Sequence, residues 1–107
     1  MQRFGQVIGL LPENIEEYSR LHAAVWPEVL QKITECNIRN YSIFVKDDLL
    51  FAYFEYHGAD FETDMAKMAA DPKTQEWWAV NKPLQSPWPT RAEGEWWATM
   101  KEIFHTD

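Results

Sequence analysis

The sequence predicts an α+β protein of the ferredoxin-like class, with the element order βαββαβ. Segments rich in β-branched and aromatic residues alternate with segments whose apolar residues recur at three- and four-residue steps, the period of a helix. Two of the strands flank Lys46-Asp47-Asp48, a tight turn that predicts a hairpin. A chain of 107 residues suits one domain, residues 1–107. This order folds most simply as an antiparallel sheet with both helices on one face.

The first half of the chain supplies one strand and a long helical segment. Arg3 to Leu11 is short and apolar and predicts a strand that ends at the turn around Pro12. From Asn14 to Cys36 the apolar spacing predicts a helix, started by Pro12 or by the Asn14 side chain. Pro27 interrupts this segment and predicts a kink or a break into two helices. The apolar positions are Ile15, Tyr18, Leu21, Val25, Val29 and Ile33.

The second half begins with the hairpin and continues into a helical pair. Asn40 to Val45 predicts a central strand, and Leu49 to Tyr56 predicts the strand that pairs with it. Phe61 to Ala70 has a helical apolar face. Asp71 followed by proline resembles an N-cap with proline at the first helical position, which predicts a further short helix over Pro72 to Asn81.

The last quarter of the chain is rich in proline and tryptophan. Lys82 to Glu95 contains Pro83, Pro87 and Pro89 and predicts an extended loop over the surface or over a pocket mouth, with Trp88 in a functional position. Trp97 to His105 predicts the last strand.

The face of the sheet that carries no helix needs a cover. A domain this short buries only about two-thirds of the surface that its unfolded chain exposes, so self-association would add stability. We therefore expect a homodimer in which the sheets of the two copies face each other.

Charge and cysteine content exclude several classes of partner. Ten Lys and Arg against seventeen Asp and Glu give a net charge of -7, which repels nucleic acid and anionic membranes. Cys36 is the only cysteine, so no intrachain disulfide can form. No apolar run is long enough to span a bilayer, and Phe4 to Leu11 is too interrupted for a signal peptide. A cytoplasmic location is expected.

Five residues are candidates for a functional site. Tyr18, His22 and Trp26 are spaced four apart and are expected along one side of the first helix. His22 can donate or accept a proton near neutral pH, although a buried core histidine with a satisfied hydrogen bond is the commoner arrangement. Adjacent helical residues point about 100° apart, so one indole of Trp77-Trp78 can pack in the core while the other faces a cavity. The candidates are Tyr18, His22, Tyr41, Trp77 and Trp78.

The sequence gives little support for a metal site or a phosphate-binding site. Glu55 and His57 lie on the same side of a strand, and Glu28 follows Pro27, but no spacing typical of a metal site connects them. There is no glycine-rich phosphate loop and no nucleophile elbow. No metal is expected.

Two segments, YSRLHAAVWPEV and DPKTQEWW, give the chain a resemblance to the L-rhamnose mutarotase family. Asn40-Tyr41 and Leu49 to Ala52 add to this resemblance, which covers nearly the whole chain. It implies a ferredoxin-like protomer, a dimer of the dimeric α/β barrel type, and no cofactor. The family's catalytic proton donor matches His22, and its sugar-binding positions match Tyr18, Tyr41, Trp77 and Trp78. The stretch from Lys82 to Trp97 departs from the rhamnose-type pattern.

The expected activity is interconversion of the α and β anomers of a 6-deoxyhexose monosaccharide, L-rhamnose or L-fucose. In this hypothesis His22 protonates the ring oxygen during opening, while water or a second polar side chain handles the anomeric proton. Two alternatives remain: a cofactor-free monooxygenase, because related dimeric barrels host such chemistry, and a non-catalytic sugar-binding module that uses the same aromatic pocket.

Overall fold

The computed structural model describes all residues from 1 to 107 and contains a five-stranded antiparallel sheet with four α-helices. The prediction of a ferredoxin-like α+β fold is confirmed. The strands are β1 (Gln2–Leu10), β2 (Ile38–Lys46), β3 (Leu49–Tyr56), β4 (Gln85–Ser86) and β5 (Ala98–Met100). The helices are α1 (Ile15–His22), α2 (Pro27–Glu35), α3 (Phe61–Ala70) and α4 (Pro72–Asn81).

The strand order differs from the sequence prediction at both edges of the sheet. The order is β2-β3-β1, so the strand predicted to be central, β2, lies at one edge. At the other edge β4 pairs with the end of β1, and β5 pairs with its middle. The predicted loop thus contains a strand, and the predicted strand over Trp97 to His105 is reduced to β5. Pro87 and Pro89 have no N–H group for a strand ladder, which explains why two short strands share this edge.

The first helical segment breaks where the sequence predicts. α1 ends at His22, and α2 begins with Pro27 at its first position, where a missing N–H costs nothing. Trp26 is the extended residue before α2, so the expectation that it continues the α1 spacing is wrong.

Pro12 opens a single 3-10 turn before α1. The alternative start signal, capping by Asn14, is not used: the Asn14 amide donates to the Leu84 backbone carbonyl over 3.3 Å. This bond ties the start of α1 to the segment that leads into β4.

The core lies between the helices and one face of the sheet. Alternate residues of β3 are buried on this face, because successive strand residues point to opposite sides. The main cluster consists of Ile8, Leu10, Tyr18 and Leu50, and each large aliphatic side chain buried there contributes about 1.5–3 kcal/mol. Tyr18 therefore belongs to both the core and the candidate site.

The opposite face of the sheet carries no helix and remains apolar. Phe44 is 60 % exposed and Met100 is 47 % exposed. The residues after β5 have no regular structure, and they include Ile103 and Phe104, which are 91 % and 78 % exposed. None of the helices is both long and apolar enough to cross a membrane.

Candidate active site

Three of the five predicted site residues are in direct contact. Tyr18 and His22 lie one turn apart on α1, and their rings stack with centroids 4.1 Å apart. Trp77 on α4 meets His22 edge-on, with 5.2 Å between the ring centroids. The cluster therefore joins α1 to α4 on the helical side of the sheet, and it places an imidazole between two aromatic rings.

The hydrogen bond at His22 fixes its tautomer. Nδ1 of His22 lies 2.9 Å from the backbone carbonyl oxygen of Tyr18. A carbonyl oxygen can only accept, so Nδ1 carries the proton and donates, and Nε2 of the neutral ring has a free lone pair. Burial lowers the pKa of His22 from its ordinary value of 6.5, and the bond to Tyr18 opposes this shift only in part. At neutral pH the residue is a neutral base at Nε2.

Both candidate tyrosines keep their protons. Burial raises the pKa of Tyr18, and the neighbouring Tyr41 hydroxyl raises it further. Tyr41, on β2, packs its ring 5.6 Å from Phe54 on the helical face of the sheet. The residue is 43 % exposed, but desolvation of its hydroxyl raises the pKa of Tyr41 to about 12. The site therefore offers two neutral hydroxyl groups beside a neutral imidazole.

The two tryptophans of α4 take different positions, as the 100° step between them predicts. Trp77 is buried, whereas Trp78 is half-buried and faces Lys82, whose Nζ lies 5.9 Å from its ring centroid. The same Nζ lies 5.3 Å from the Trp96 ring, so Lys82 connects these two indoles.

Gln85 and Trp96 complete the cluster, and neither was predicted. Nε2 of Gln85 donates to the Tyr18 hydroxyl over 3.2 Å, and Nε1 of Trp96 donates to Oε1 of Gln85 over 2.7 Å. Trp96 lies in the tryptophan-rich stretch from Lys82 to Trp97, and the richness of this stretch in tryptophan could have marked Trp96 as a site residue. Nothing in the sequence indicates that Gln85 belongs to the site, because its position depends on β4 lying beside β1.

Trp26 supports the site from outside α1. Its ring meets Trp77 at 5.2 Å, and Nζ of Lys73 lies 5.7 Å above it. These contacts hold the corner between α1 and α2 against α4.

Trp88 lies in the segment between β4 and β5. It lines a surface pocket with Val7 and Met100, beside β1 and β5. No three His, Cys, Asp or Glu side chains are grouped as a metal site. Glu55 instead accepts hydrogen bonds from Asn40, Tyr53 and His57.

Fold and site together define a ferredoxin-like α+β protein with an aromatic site built around one neutral imidazole. The model of the L-rhamnose mutarotase family matches residues 3–106 of this chain. The chain belongs to the L-rhamnose mutarotase family, a family of isomerases that act on a carbohydrate.

Individual relatives agree over the full length. The chain is 31 % identical to the L-rhamnose mutarotase of Oceanobacillus iheyensis over 110 residues, covering 100 % of both chains. It is 33 % identical to that of Listeria monocytogenes, covering 98 % of both. The crystal structure of an L-rhamnose mutarotase from Formosa agariphila superimposes with a TM-score of 0.80 over 100 % of both chains, at 20 % identity. This structural match establishes the shared fold.

Proposed function

We propose that the protein interconverts the α and β anomers of L-rhamnose, with His22 as the residue that transfers the proton. The observation that supports this most directly is the free Nε2 of a neutral His22, held between Tyr18 and Trp77 by a fixed Nδ1–H bond. Membership of the mutarotase family supplies the reaction class and the sugar.

The reaction moves one proton between two oxygen atoms on the same carbon. Ring opening takes the proton from the anomeric hydroxyl O1, forms the C1=O1 bond, breaks the C1–O5 bond and places a proton on the ring oxygen O5. Nε2 of neutral His22 accepts the O1 proton, and the resulting imidazolium donates a proton to O5. Rotation about C1–C2 and the reverse steps on the other face of the aldehyde give the second anomer. The chemistry requires only one acid/base pair.

The surrounding side chains suit an uncharged sugar. Tyr18 and Tyr41 offer neutral hydroxyl groups for hydrogen bonds to sugar oxygens, since their raised pKa values keep them protonated. The faces of Trp77 and Trp78 provide apolar walls for the C–H side of the ring and for the methyl group of a 6-deoxyhexose. We assign these four residues to substrate binding.

The test is saturation-transfer NMR between the α and β anomeric protons, with L-rhamnose and L-fucose measured in parallel. We expect exchange of L-rhamnose above the background without protein, and the L-fucose rate determines whether the site accepts a second 6-deoxyhexose. His22→Phe keeps an aromatic ring for the stack but has no titratable nitrogen, so the rate should fall by about a hundred- to ten-thousandfold.

The matched control is His105→Phe, which changes an exposed histidine in the C-terminal tail and should leave the rate unaltered. Native activity in His22→Phe would refute the assignment of His22. Saturable binding of L-rhamnose without faster exchange would instead favour the sugar-binding module.

The active form is proposed to be a homodimer joined through the open face of the sheet. That face exposes Phe44 and Met100, and the tail adds Ile103 and Phe104. A monomer would leave these apolar side chains in water, whereas a dimer joined through this face would bury them. Light scattering after size exclusion should give twice the mass of the 12.7 kDa chain. Phe44→Asp should shift this to the monomer mass, and a native monomer would refute the proposal. The predicted cytoplasmic location stays a prediction.

A further inference from the structure

We propose that Gln85, held by Trp96, is a positioning residue that fixes the Tyr18 hydroxyl as a hydrogen-bond donor toward the sugar. This inference rests on the proposed function and specifies how one side of the site recognises its substrate. The three side chains come from β4, the segment before β5, and α1.

The direction of each hydrogen bond follows from the chemistry of the groups. The indole N–H of Trp96 can only donate, and it lies 2.7 Å from Oε1 of Gln85. With its oxygen bound to Trp96, the Gln85 amide turns its NH₂ group toward Tyr18, 3.2 Å away. The NH₂ group can only donate, so the Tyr18 oxygen accepts and its own proton points away from Gln85.

Burial and pairing hold this arrangement in place. Gln85 is 9 % exposed and Tyr18 is 4 % exposed, so little water reaches the hydrogen bond between them. Gln85 is paired with Leu10 across the sheet, and the strand fixes where its side chain begins. An amide in this position cannot flip without leaving the indole N–H of Trp96 opposite another donor.

The direction of these hydrogen bonds decides what the Tyr18 hydroxyl can bind. A tyrosine hydroxyl that already accepts from Gln85 presents its O–H to the substrate, and it therefore selects an oxygen that can accept. The ring oxygen, which has no proton of its own, and the oxygens of the sugar hydroxyls meet this requirement.

The decisive experiment is a double-mutant cycle between Gln85→Met and Tyr18→Phe. Methionine keeps the length of the side chain but removes the amide. We expect Gln85→Met to lower the exchange rate of L-rhamnose by about tenfold, the usual effect of one hydrogen bond. In the Tyr18→Phe background the same change should have no further effect, because Gln85 acts through the Tyr18 hydroxyl. Gln31→Met, on the exposed surface of α2, is the matched control and should not alter the rate.

Gln85→Glu gives a second readout that packing alone would not change. An ionised carboxylate accepts from Tyr18 and reverses the bond, whereas a protonated carboxyl can donate to Tyr18 while its other oxygen still accepts from Trp96. The ratio of the variant rate to the native rate should therefore rise as the pH falls. Trp96→Phe, which keeps an aromatic ring but removes the indole N–H, should lower the rate several-fold.

The outcomes separate this inference from the proposed function. If Gln85→Met lowers the rate equally with and without the Tyr18 hydroxyl, or does not lower it at all, Gln85 does not position Tyr18. If the native protein does not accelerate exchange, the proposed function fails, and the same cycle is measured on the Kd of L-rhamnose from tryptophan fluorescence. Coupling in the Kd would support the donor role, and its absence would overturn it.

Discussion

The pH dependence of mutarotation tests the protonation state of His22. Because Nδ1 is committed to the Tyr18 carbonyl and burial lowers the pKa of His22, the resting enzyme carries a neutral ring with Nε2 free. Mutarotation through this form requires the deprotonated base at the outset. The rate should therefore reach a plateau at neutral and alkaline pH and fall on acidification.

The size of the effect follows from the pKa of a single group. With a pKa below 6.5, at least about 90 % of His22 is neutral at about pH 7.5. The protein-dependent rate should therefore change little above that pH. Below the His22 pKa the rate should fall by about tenfold per pH unit, since one proton blocks Nε2.

The assay is saturation-transfer NMR of L-rhamnose across the pH range, with the background rate subtracted at each pH because protons and hydroxide also catalyse mutarotation. Circular dichroism at each pH is the control for folding. The unfolded chain binds the His22 proton more tightly than the folded chain does, so acidification below 6.5 also removes stability. A protein-dependent rate that rises on acidification through the His22 titration, with the fold intact, would show that the imidazolium starts the reaction and would refute the reasoning.

Two further predictions concern the scaffold. A Cβ on Gly9 would lie 2.6 Å from the Ser86 backbone oxygen, so Gly9→Ala should lower the free energy of unfolding by about 1–3 kcal/mol. Because the clash shifts β4, the variant should also slow the exchange of the sugar anomers. A Cβ on Gly5 would meet only a side chain at 3.5 Å, so Gly5→Ala should change neither quantity. Urea denaturation measures the free energy of unfolding, and saturation-transfer NMR measures the anomer exchange rate. If the two variants gave the same values, the close approach of Gly9 to β4 would not matter for stability or activity. Asp71→Ala removes the acceptor for the Thr74 backbone N–H at the start of α4 and should lower the free energy of unfolding, measured by urea denaturation, by about 0.5–2 kcal/mol. Asp48→Ala is the surface control. Equal denaturation midpoints for the two variants would show that the helix cap is dispensable.

The fold class and most element boundaries could be predicted from local patterns. Alternation, helical spacing and the cap at Asp71 act within a few residues, so the sequence displays them directly. The break at Pro27 belongs to the same group, because a proline without an N–H starts a helix wherever the chain permits it. The resemblance in YSRLHAAVWPEV and DPKTQEWW led to the family that the full-length comparison confirms.

The edge of the sheet and the polar side of the candidate site were decided by the tertiary structure. Two strands share one edge because β1 offers a ladder to both, and the prolines between them prevent a continuous strand. Gln85 meets Tyr18 across 67 residues of sequence, and Trp96 reaches it from the far side of a loop. Local spacing carries no information about such contacts, since they exist only after the sheet has brought the segments together. The sequence thus determined which side chains are candidates for the site, and the folded chain determined which of them lie together.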